Sequence, residues 1–574
     1  MLRKFSIISF FSGFSTFLVY LALFGIGEGI SVVFFWAPIV VIIASLLYQI
    51  MNYVYVSGIS KDEILIVLEI FLFTFVVHLM VARPGSIGLV GHDPHYEYSG
   101  AKTIMDSGWP IPTNIPITVK TRNYSEWPML DFLTIIFSEI IGMDLLTAAR
   151  LIPILINSFT VVFLYLFARV IYKDRRISFT ASLAFAALFP YINFQTHFVR
   201  ESFAFVLLFA CLYCLVKAQR KRQKVFHYLG IFLVVVLIFS HHLTSFVLLL
   251  FLFIAAVLIK VVPKVFKIGG SGEKRILLPS FSLLILALLL NVSYWTTVGE
   301  FVLRASSLYL SDLSFGRFGS FSSRRFSLSA GSIRAVAASY GNILFLGIFG
   351  ILILSYLLRN TKKANVADIV FAVFGLLCVI SGYVSLYITS FAGFDFTRPA
   401  NFGYAFLLIP VAHVMTRNKH RKAVAILLGC FILLQVFTIP SYYYDLNARP
   451  EYAYGSYREY YLPEEYSAVD RFNLSGKVIG DWTTFELFGG LQQVNVIYQS
   501  DKAVQIFEGN LTLLKGYDWF VFRHEDFDVA QVGSSKPVAV TIETYNEFGR
   551  TVLMEKVYNN GEVEIYRSLV GMLR

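Results

Sequence analysis

Long apolar runs constrain this chain more than any other feature of its sequence. An α-helix crosses the roughly 30 Å hydrocarbon core of a membrane in about 20 residues. Charged residues make up only 15% of the 574 residues, too few to cover several water-soluble cores. The sequence therefore predicts a polytopic α-helical membrane protein with about thirteen transmembrane helices. The predicted spans are 5–24, 31–54, 63–82, 147–171, 177–195, 201–216, 226–240, 244–262, 276–297, 341–358, 366–390, 401–416 and 423–439.

Positive charge is distributed unevenly among the predicted loops. If the N-terminus is inside, the inside loops contain 23 Lys and Arg residues but only 4 Asp and Glu residues. Cytoplasmic loops of membrane proteins have this excess of basic residues. We therefore expect a multi-pass protein of the cell membrane with a cytoplasmic N-terminus. Because topology accounts for the basic loops, membrane lipids are the expected surroundings and no nucleic-acid partner is predicted.

Three predicted outer segments are long enough to contain a working site. Two are the outer loops 83–146 and 298–340, which belong to a membrane region of residues 1–440. The third is the tail, residues 441–574, which contains short strand-like runs between helix-like and turn-like stretches. We expect the tail to fold outside the cytosol as a soluble α/β domain.

The first outer loop has the clearest pattern. Its acidic and histidine-rich start, residues 91–98, reads Gly-His-Asp-Pro-His-Tyr-Glu-Tyr. In the later stretch 131–141, apolar residues recur every three or four positions, which is typical of a helix lying in the membrane interface. Trp109 and Trp127 are residues that favour headgroup depth. The pattern predicts a loop held against the outer membrane surface.

This layout resembles the GT-C superfamily of integral-membrane glycosyltransferases, which use polyprenyl-phosphate-linked sugars as donors. The closest likeness is to archaeal and bacterial members that transfer a single sugar and have an extracytosolic tail domain. In that superfamily an acidic residue of the first outer loop is the catalytic base or a metal ligand. By position, Asp93 matches best and Glu97 second. The resemblance thus implies transfer of a hexosyl or pentosyl group to a lipid, glycan or protein acceptor, with a divalent metal as a possible cofactor.

Two features depart from the family pattern. Two predicted spans precede the one that leads into the first outer loop, whereas the family usually has one. The Trp-Trp-Asp signature of oligosaccharyltransferases is absent from the sequence. Transfer of a preassembled oligosaccharide is therefore disfavoured.

The chemistry of sugar transfer explains why acidic residues are candidates in this loop. A carboxylate must take the proton of the acceptor hydroxyl as the oxygen attacks the anomeric carbon. Asp93 or Glu97 offers that carboxylate, although an aspartate before proline is also common in plain turns. His92 and His95 are candidates for supporting hydrogen bonds or metal ligation.

Cations predicted at the outer membrane face form a second group of candidates. Arg200, Arg398, Arg324 and Arg325 oppose the topological trend, and a bidentate match to a lipid phosphate would explain them. The alternatives are contact with ordinary anionic headgroups and pairing with nearby acidic residues, Glu201 and Asp395. His241, His242 and Glu201 are possible supporting residues, because ionisable groups near membrane depth are often functional.

A membrane transporter or lipid flippase is the main alternative function. Transporters tend to have inverted repeats and charged residues at the bilayer midplane. We detect no internal repeat in this sequence, and the candidate charges cluster toward one face. A receptor or structural protein that works through its tail would leave the acidic first loop without a role.

The predicted topology has a direct test in sealed, inverted membrane vesicles, whose outer surface is the cytoplasmic face. Protease added to these vesicles should leave the tail intact, because the tail is predicted to lie in the lumen. Detergent permeabilisation is the control and should permit cleavage. Cleavage of the tail before permeabilisation would reverse the topology.

Overall fold

The computed structural model describes two compact units of the chain. The first comprises Met1–Pro84, Pro153–Thr196 and Arg200–Ala448, and the second Gly85–Ile152, His197–Val199 and Arg449–Arg574. We call them the membrane unit and the outer-loop unit. The residues described within them are 2–24, 32–54, 58–82, 89, 93–115, 119–172, 174–221, 223–265, 281–297, 347–356, 365–385, 397–417, 421–443, 463–472, 474–481, 484–492, 495–497, 501–508, 510–523, 545–546, 554–560 and 563–568.

Helices make up the described part of the membrane unit. Four described helices are long and apolar enough to cross a membrane, and seven shorter ones are also apolar. The chain is thus a multi-pass membrane protein, while the predicted count of thirteen spans stays a prediction. The helices are α1 (Leu2–Phe24), α2 (Val32–Met51), α3 (Lys61–Val81), α7 (Leu145–Ile171), α8 (Arg175–Ala186), α9 (Phe189–Gln195), α10 (Arg200–Lys221), α11 (Lys224–Ser240), α12 (His242–Val265), α13 (Phe281–Thr297), α14 (Gly347–Tyr356), α15 (Val366–Ser385), α16 (Thr397–Arg417) and α17 (Arg421–Tyr443). The helix α7 begins in the outer-loop unit and continues into the membrane unit.

One predicted span, 177–195, is divided into two helices. The helix α8 ends at Ala186, and α9 begins at Phe189 after Leu188 in an extended conformation. Pro190 lies in the first turn of α9 and has no N–H to bond the carbonyl of Ala186, so the α8 helix cannot continue through it. Hydropathy alone does not register this break, because the residues on both sides are apolar.

A buried charge cluster joins α3, α7 and α8. The Glu63 carboxylate lies 2.6 Å from the Arg169 Nε and 2.7 Å from an Arg175 guanidinium nitrogen. The Tyr165 hydroxyl also donates to Glu63, at 2.6 Å. Buried charges require this kind of full pairing, and removing one partner is strongly destabilising. The cluster therefore fixes the relative positions of three helices.

Close packing of α15 against α16 depends on two glycines. A Cβ added to Gly375 would lie 2.8 Å from the Gly403 carbonyl oxygen, closer than side chains normally approach. Small residues at such points let membrane helices approach backbone to backbone. Beside them, the rings of Phe205 and Phe402 stack with centroids 4.4 Å apart and connect α10 to α16. This packing fixes the helix that begins at Thr397–Arg398.

The outer-loop unit contains helices from the first outer loop and a sheet from the tail. Its loop helices are α4 (Asp93–Ser107), α5 (Val119–Ser125) and α6 (Met129–Ile141), and its tail helices include α18 (Pro463–Arg471) and α19 (Asp501–Phe507). Leu130, Asp131, Thr134 and Ser138 are the buried residues of α6. Ile136 and Ile140 on the same helix are 54% and 75% exposed, an apolar face that suits an interfacial helix.

The tail sheet has five described strands in the order β2-β1-β3-β5-β4. The strand bounds are β1 (Lys477–Ile479), β2 (Asn495–Ile497), β3 (Trp519–Arg523), β4 (Met554–Asn559) and β5 (Val563–Ser568). The strand β1 pairs in parallel with β2 and β3, whereas β5 pairs antiparallel with β3 and β4. Alternate residues of β3 enter two separate apolar clusters: Phe520 and Phe522 pack with α19, and Val521 packs with α18. The sheet therefore has an apolar cluster on each face.

A buried ion network holds α18 to this sheet. The Arg523 guanidinium lies 2.7 Å from a Glu465 oxygen and 2.6 Å from an Asp481 oxygen. Burial alone would raise the pKa of the Asp481 carboxyl. The Arg523 guanidinium opposes this effect and holds the pKa below its usual range. Asp481 and Glu465 thus share the Arg523 guanidinium as a counter-charge.

Replacing Arg523 with Met should destabilise the tail by about 3–5 kcal/mol at pH 7, because two buried carboxylates lose their counter-charge. The loss of stability caused by Arg523→Met should be smaller at pH 5 than at pH 7. Without the guanidinium, burial raises the pKa of the Asp481 carboxyl, so the variant takes up a proton that the wild type does not. The urea concentration at which segment 477–523 loses protection from hydrogen exchange in the full chain measures this effect.

The variant Lys515→Met is the control, because it removes an exposed positive charge from the same unit. It should change stability little at either pH. An equal cost for Arg523→Met at pH 5 and pH 7 would contradict the ionised network.

Candidate active site

Residues 93–98 of the acidic motif lie at the start of α4. Asp93 is the first residue of this helix and is partly exposed. His95 and Glu97 are buried, with exposed fractions of 0% and 1%. Residues four apart lie on the same face of a helix, so Asp93 and Glu97 are neighbours along α4. The positive end of the helix dipole stabilises a carboxylate at the Asp93 position.

The Tyr466 hydroxyl contacts residues on both sides of Asp93. It accepts the backbone N–H of Leu89 at 3.0 Å and lies 2.6 Å from the His95 Nε2. Burial raises the pKa of Tyr466, so the phenol keeps its proton. The positive charge of Arg150 also acts on this phenol. Tyr466 and Arg150 thereby join the predicted residues around the start of α4.

A second buried carboxylate lies where α4 meets α6. Asp131 is 1% exposed, and a Cβ added to Gly100 would lie 3.8 Å from its Oδ2. Gly100 is three residues after Glu97, on the same face of α4. The outer-loop unit therefore places Asp131 as well as Asp93 and Glu97 along one helix surface.

In the membrane unit, two predicted residues meet at Glu201. The buried carboxylate of Glu201 accepts a hydrogen bond from the Gln195 amide at 3.2 Å and lies 3.9 Å from the Arg398 Nε. The Arg398 guanidinium also lies over the Phe194 ring, 4.7 Å from its centroid. The Arg398 side chain is 27% exposed, whereas Arg200 is almost completely buried. Arg398 thus lies near Glu201, one of the two acidic residues considered as alternative partners of the arginines, at a distance longer than a charge-assisted hydrogen bond.

His241 and His242 lie at the break between α11 and α12. The His241 Nδ1 is 2.9 Å from the Thr244 hydroxyl, and the two imidazole centroids are 4.8 Å apart. The charges of Arg200 and Arg398 act on both histidines. The membrane unit therefore gathers two arginines, two histidines and Glu201 at the ends of α10, α12 and α16.

Some predicted site residues lie outside the described part of the chain. They are His92, Arg324, Arg325 and Asp395. Among the residues that the structure does describe, no group of three or more His, Cys, Asp and Glu side chains is close enough to hold a metal ion.

Sequence reasoning missed several residues of these clusters. Arg150 is a cation close to the predicted outer face, and the argument that selected Arg200 applies to it equally. Gln195 and Asn401 are completely buried amides, and among the described residues neither Asn401 side-chain atom has a hydrogen-bond partner. Both amides interrupt apolar stretches of the sequence, and this pattern could have identified them as candidates. Tyr466 had no such signal, because its partner His95 is 371 residues away.

Residues 125–295 match the family model described as dolichyl-phosphate-mannose-protein mannosyltransferase. This segment extends from the end of α5 through α13 and includes Arg200, His241 and His242. The resemblance to the GT-C superfamily is confirmed. Asp93 and Arg398 lie outside the matched segment.

Three solved structures are also similar to this chain. The Archaeoglobus fulgidus oligosaccharyltransferase complex with Zn and sulfate is 14% identical, with a TM-score of 0.43 over 80% of this chain and 68% of that one. ArnT from Cupriavidus metallidurans bound to undecaprenyl phosphate is 12% identical, with a TM-score of 0.49 over 88% and 98%. The arabinofuranosyltransferase AftD from Mycobacteria, in its R1389S mutant, is 14% identical, with a TM-score of 0.45 over 90% and 42%. All three scores are below 0.5, so the resemblance to known glycosyltransferases is carried by the family match to residues 125–295. A search of curated proteins finds no significant match.

Proposed function

We propose that this protein transfers a single sugar from a polyprenyl-phosphate-linked donor to a lipid, glycan or protein acceptor on the extracytosolic side of the membrane. The observation that carries the proposal is the match of residues 125–295 to the dolichyl-phosphate-mannose-protein mannosyltransferase family, whose name specifies a lipid-phosphate-linked sugar. The acidic start of α4 and the cation cluster of the membrane unit supply the two kinds of group that this reaction needs.

In the proposed reaction Asp93 is the general base. The acceptor oxygen attacks the anomeric carbon as its proton passes to the carboxylate. A new carbon–oxygen bond forms, and the bond from the anomeric carbon to the phosphate oxygen breaks. Asp93 suits this role better than Glu97, because it is partly exposed at the end of α4 while Glu97 is buried. A single displacement of this kind inverts the anomeric configuration.

The departing lipid phosphate needs positive charge, and we assign this role to Arg200 and Arg398. An arginine fork fits two phosphate oxygens at once. The 3.9 Å separation from Glu201 and the partial exposure of Arg398 support a guanidinium that binds a phosphate as well as Glu201. The charges of Arg200 and Arg398 also act on His241 and His242. These two histidines would add hydrogen bonds to the phosphate.

Asp93→Asn should reduce the turnover number by about 10²- to 10⁴-fold, because the amide keeps the size of the side chain but cannot accept the hydroxyl proton. Donor binding should survive, since the proposed phosphate ligands are unchanged. Transfer from a radiolabelled polyprenyl-phosphate hexose, measured in proteoliposomes, tests both statements. If Asp93 instead binds a metal, added divalent metal should partly restore the activity of the variant.

The matched control is Asp106→Asn, the same substitution at an exposed position of α4. It should transfer sugar at the wild-type rate. Unchanged transfer by Asp93→Asn, together with loss of transfer by Glu97→Gln, would move the role of base to Glu97.

Arg398→Ala should weaken binding of the polyprenyl phosphate by about 10- to 100-fold, the cost of one charge-assisted hydrogen bond. Turnover should fall as well, because the leaving group loses positive charge. Titration of the purified protein with polyprenyl phosphate in nanodiscs measures the affinity. Arg176→Ala, which breaks the Arg176–Asp174 pair elsewhere in the membrane unit, should bind the lipid normally. Equal affinities for Arg398→Ala and the wild type would exclude Arg398 from the donor site.

A further inference from the structure

The Tyr466 hydroxyl bridges the two chain segments on either side of Asp93. Leu89 precedes Asp93 by four residues, and His95 follows it by two. The hydroxyl accepts the Leu89 N–H at 3.0 Å and is 2.6 Å from the His95 Nε2. With its oxygen accepting from Leu89, we assign the hydroxyl proton to the lone pair of Nε2. One side chain of the tail thereby holds both the entry to α4 and its first turn.

Tyr466 is itself held firmly. It lies on α18, where its ring belongs to the apolar cluster that includes Val521, Val563 and Ile565 of the sheet. The adjacent residue on α18, Glu465, pairs with Arg523 of β3 at 2.7 Å. Packing holds the Tyr466 ring, and the ion pair of Glu465 holds the adjacent part of α18. Tyr466 is therefore a rigid support.

A second contact joins α4 to the tail close to the first. The Tyr96 hydroxyl donates to the Phe485 carbonyl oxygen at 3.2 Å, and the two rings lie 5.7 Å apart. Tyr96 lies between His95 and Glu97, so consecutive residues of the first turn contact the tail. These contacts tie the orientation of α4 to the fold of the tail.

We propose that Tyr466 is a positioning residue for sugar transfer, which fixes the first turn of α4 so that the Asp93 carboxylate is aimed at the acceptor hydroxyl. This role rests on the proposed function of Asp93. It also gives the tail a task in the reaction, because the tail supplies the group that orients the base.

Tyr466→Phe is the test variant, because it keeps the buried ring and removes only the hydroxyl. Hydrogen–deuterium exchange of the full-length protein in nanodiscs should become faster in the segment 89–100. Exchange in the strands β1, β3 and β5 should not change, because the ring still fills its cluster. Unchanged exchange in 89–100 overturns the proposal, whatever the protein catalyses.

Tyr566→Phe is the matched control. Tyr566 is another buried tail tyrosine, and its hydroxyl donates to Glu564 at 2.5 Å. This variant loses a buried, bonded hydroxyl from the same unit, and it should leave exchange in 89–100 at the wild-type rate. Equally fast exchange of 89–100 in both variants overturns the proposal in favour of general loosening of the tail.

Measurement of kcat and KM for Tyr466→Phe distinguishes a positioning role of Tyr466 from a purely structural one. A misplacement of about 1 Å in a catalytic group reduces rates by about 100-fold, so kcat of Tyr466→Phe should fall by about 10- to 100-fold. The KM for the polyprenyl-phosphate sugar should stay within about twofold, since Arg200 and Arg398 are unchanged. A raised KM with normal kcat, or normal kinetics despite faster exchange, overturns the positioning role.

A double variant tests whether Tyr466 acts through His95. If both residues act through one hydrogen bond, Tyr466→Phe combined with His95→Gln should lose much less activity than the product of the two single losses. Fully multiplicative losses overturn this route. Absence of any transfer by the wild type would reject the proposed function and the positioning role together, while the exchange measurement would still decide whether Tyr466 fixes α4.

Discussion

Inside hydrocarbon, a backbone must satisfy its own hydrogen bonds, and the arrangement of polar groups in the membrane unit follows from this requirement. The continuous helices leave few backbone groups for other partners. Polar chemistry is therefore concentrated where helices end: Gln195 closes α9, Arg200 opens α10, His242 opens α12 and Arg398 lies in the first turn of α16. The break between α8 and α9 adds another such end, and its exposed N–H at Phe189 donates to the Gln435 side chain at 2.9 Å. The candidate phosphate ligands are thus grouped by helix termini rather than by any one motif.

The candidate site residues of the two units differ in the sign of their charge. In the membrane unit, the candidate arginines and histidines lie near the buried acid Glu201, whereas α4 and α6 of the outer-loop unit contribute the acids Asp93, Glu97 and Asp131. Sugar transfer from a lipid phosphate requires groups of both signs, a base for the acceptor and cations for the leaving group. The helix dipole favours the Asp93 carboxylate at the start of α4, whereas Glu201 and the Phe194 ring lie beside the Arg398 guanidinium.

The sequence predicted well whatever depends on neighbours along the chain. Spans at 63–82 and 147–171 correspond to α3 and α7 within a few residues, because uninterrupted apolar runs have one solution in a membrane. The divided run 177–195 was wrong as a single helix, because a proline acts through backbone geometry that hydropathy ignores. Pairing of the arginines with Glu201 and Asp395 was an alternative to phosphate binding, and the sequence did not indicate which arginine lies near Glu201. Tyr466 could not be found from sequence, since its bond to His95 depends on how the tail folds, and no local pattern encodes a contact over 371 residues.

The strand order of the tail determines when during synthesis its sheet can be completed. Of the described strands β5 is the last in the chain, yet it lies between β3 and β4 and contributes Val563 and Ile565 to the cluster that surrounds Tyr466. The ribosome therefore releases the described membrane helices and the whole first outer loop before β5 exists. The early helices can insert while translation continues, but the sheet is complete only after β5 has been synthesised. In a partly synthesised chain, α4 therefore lacks the complete tail fold that its first turn contacts.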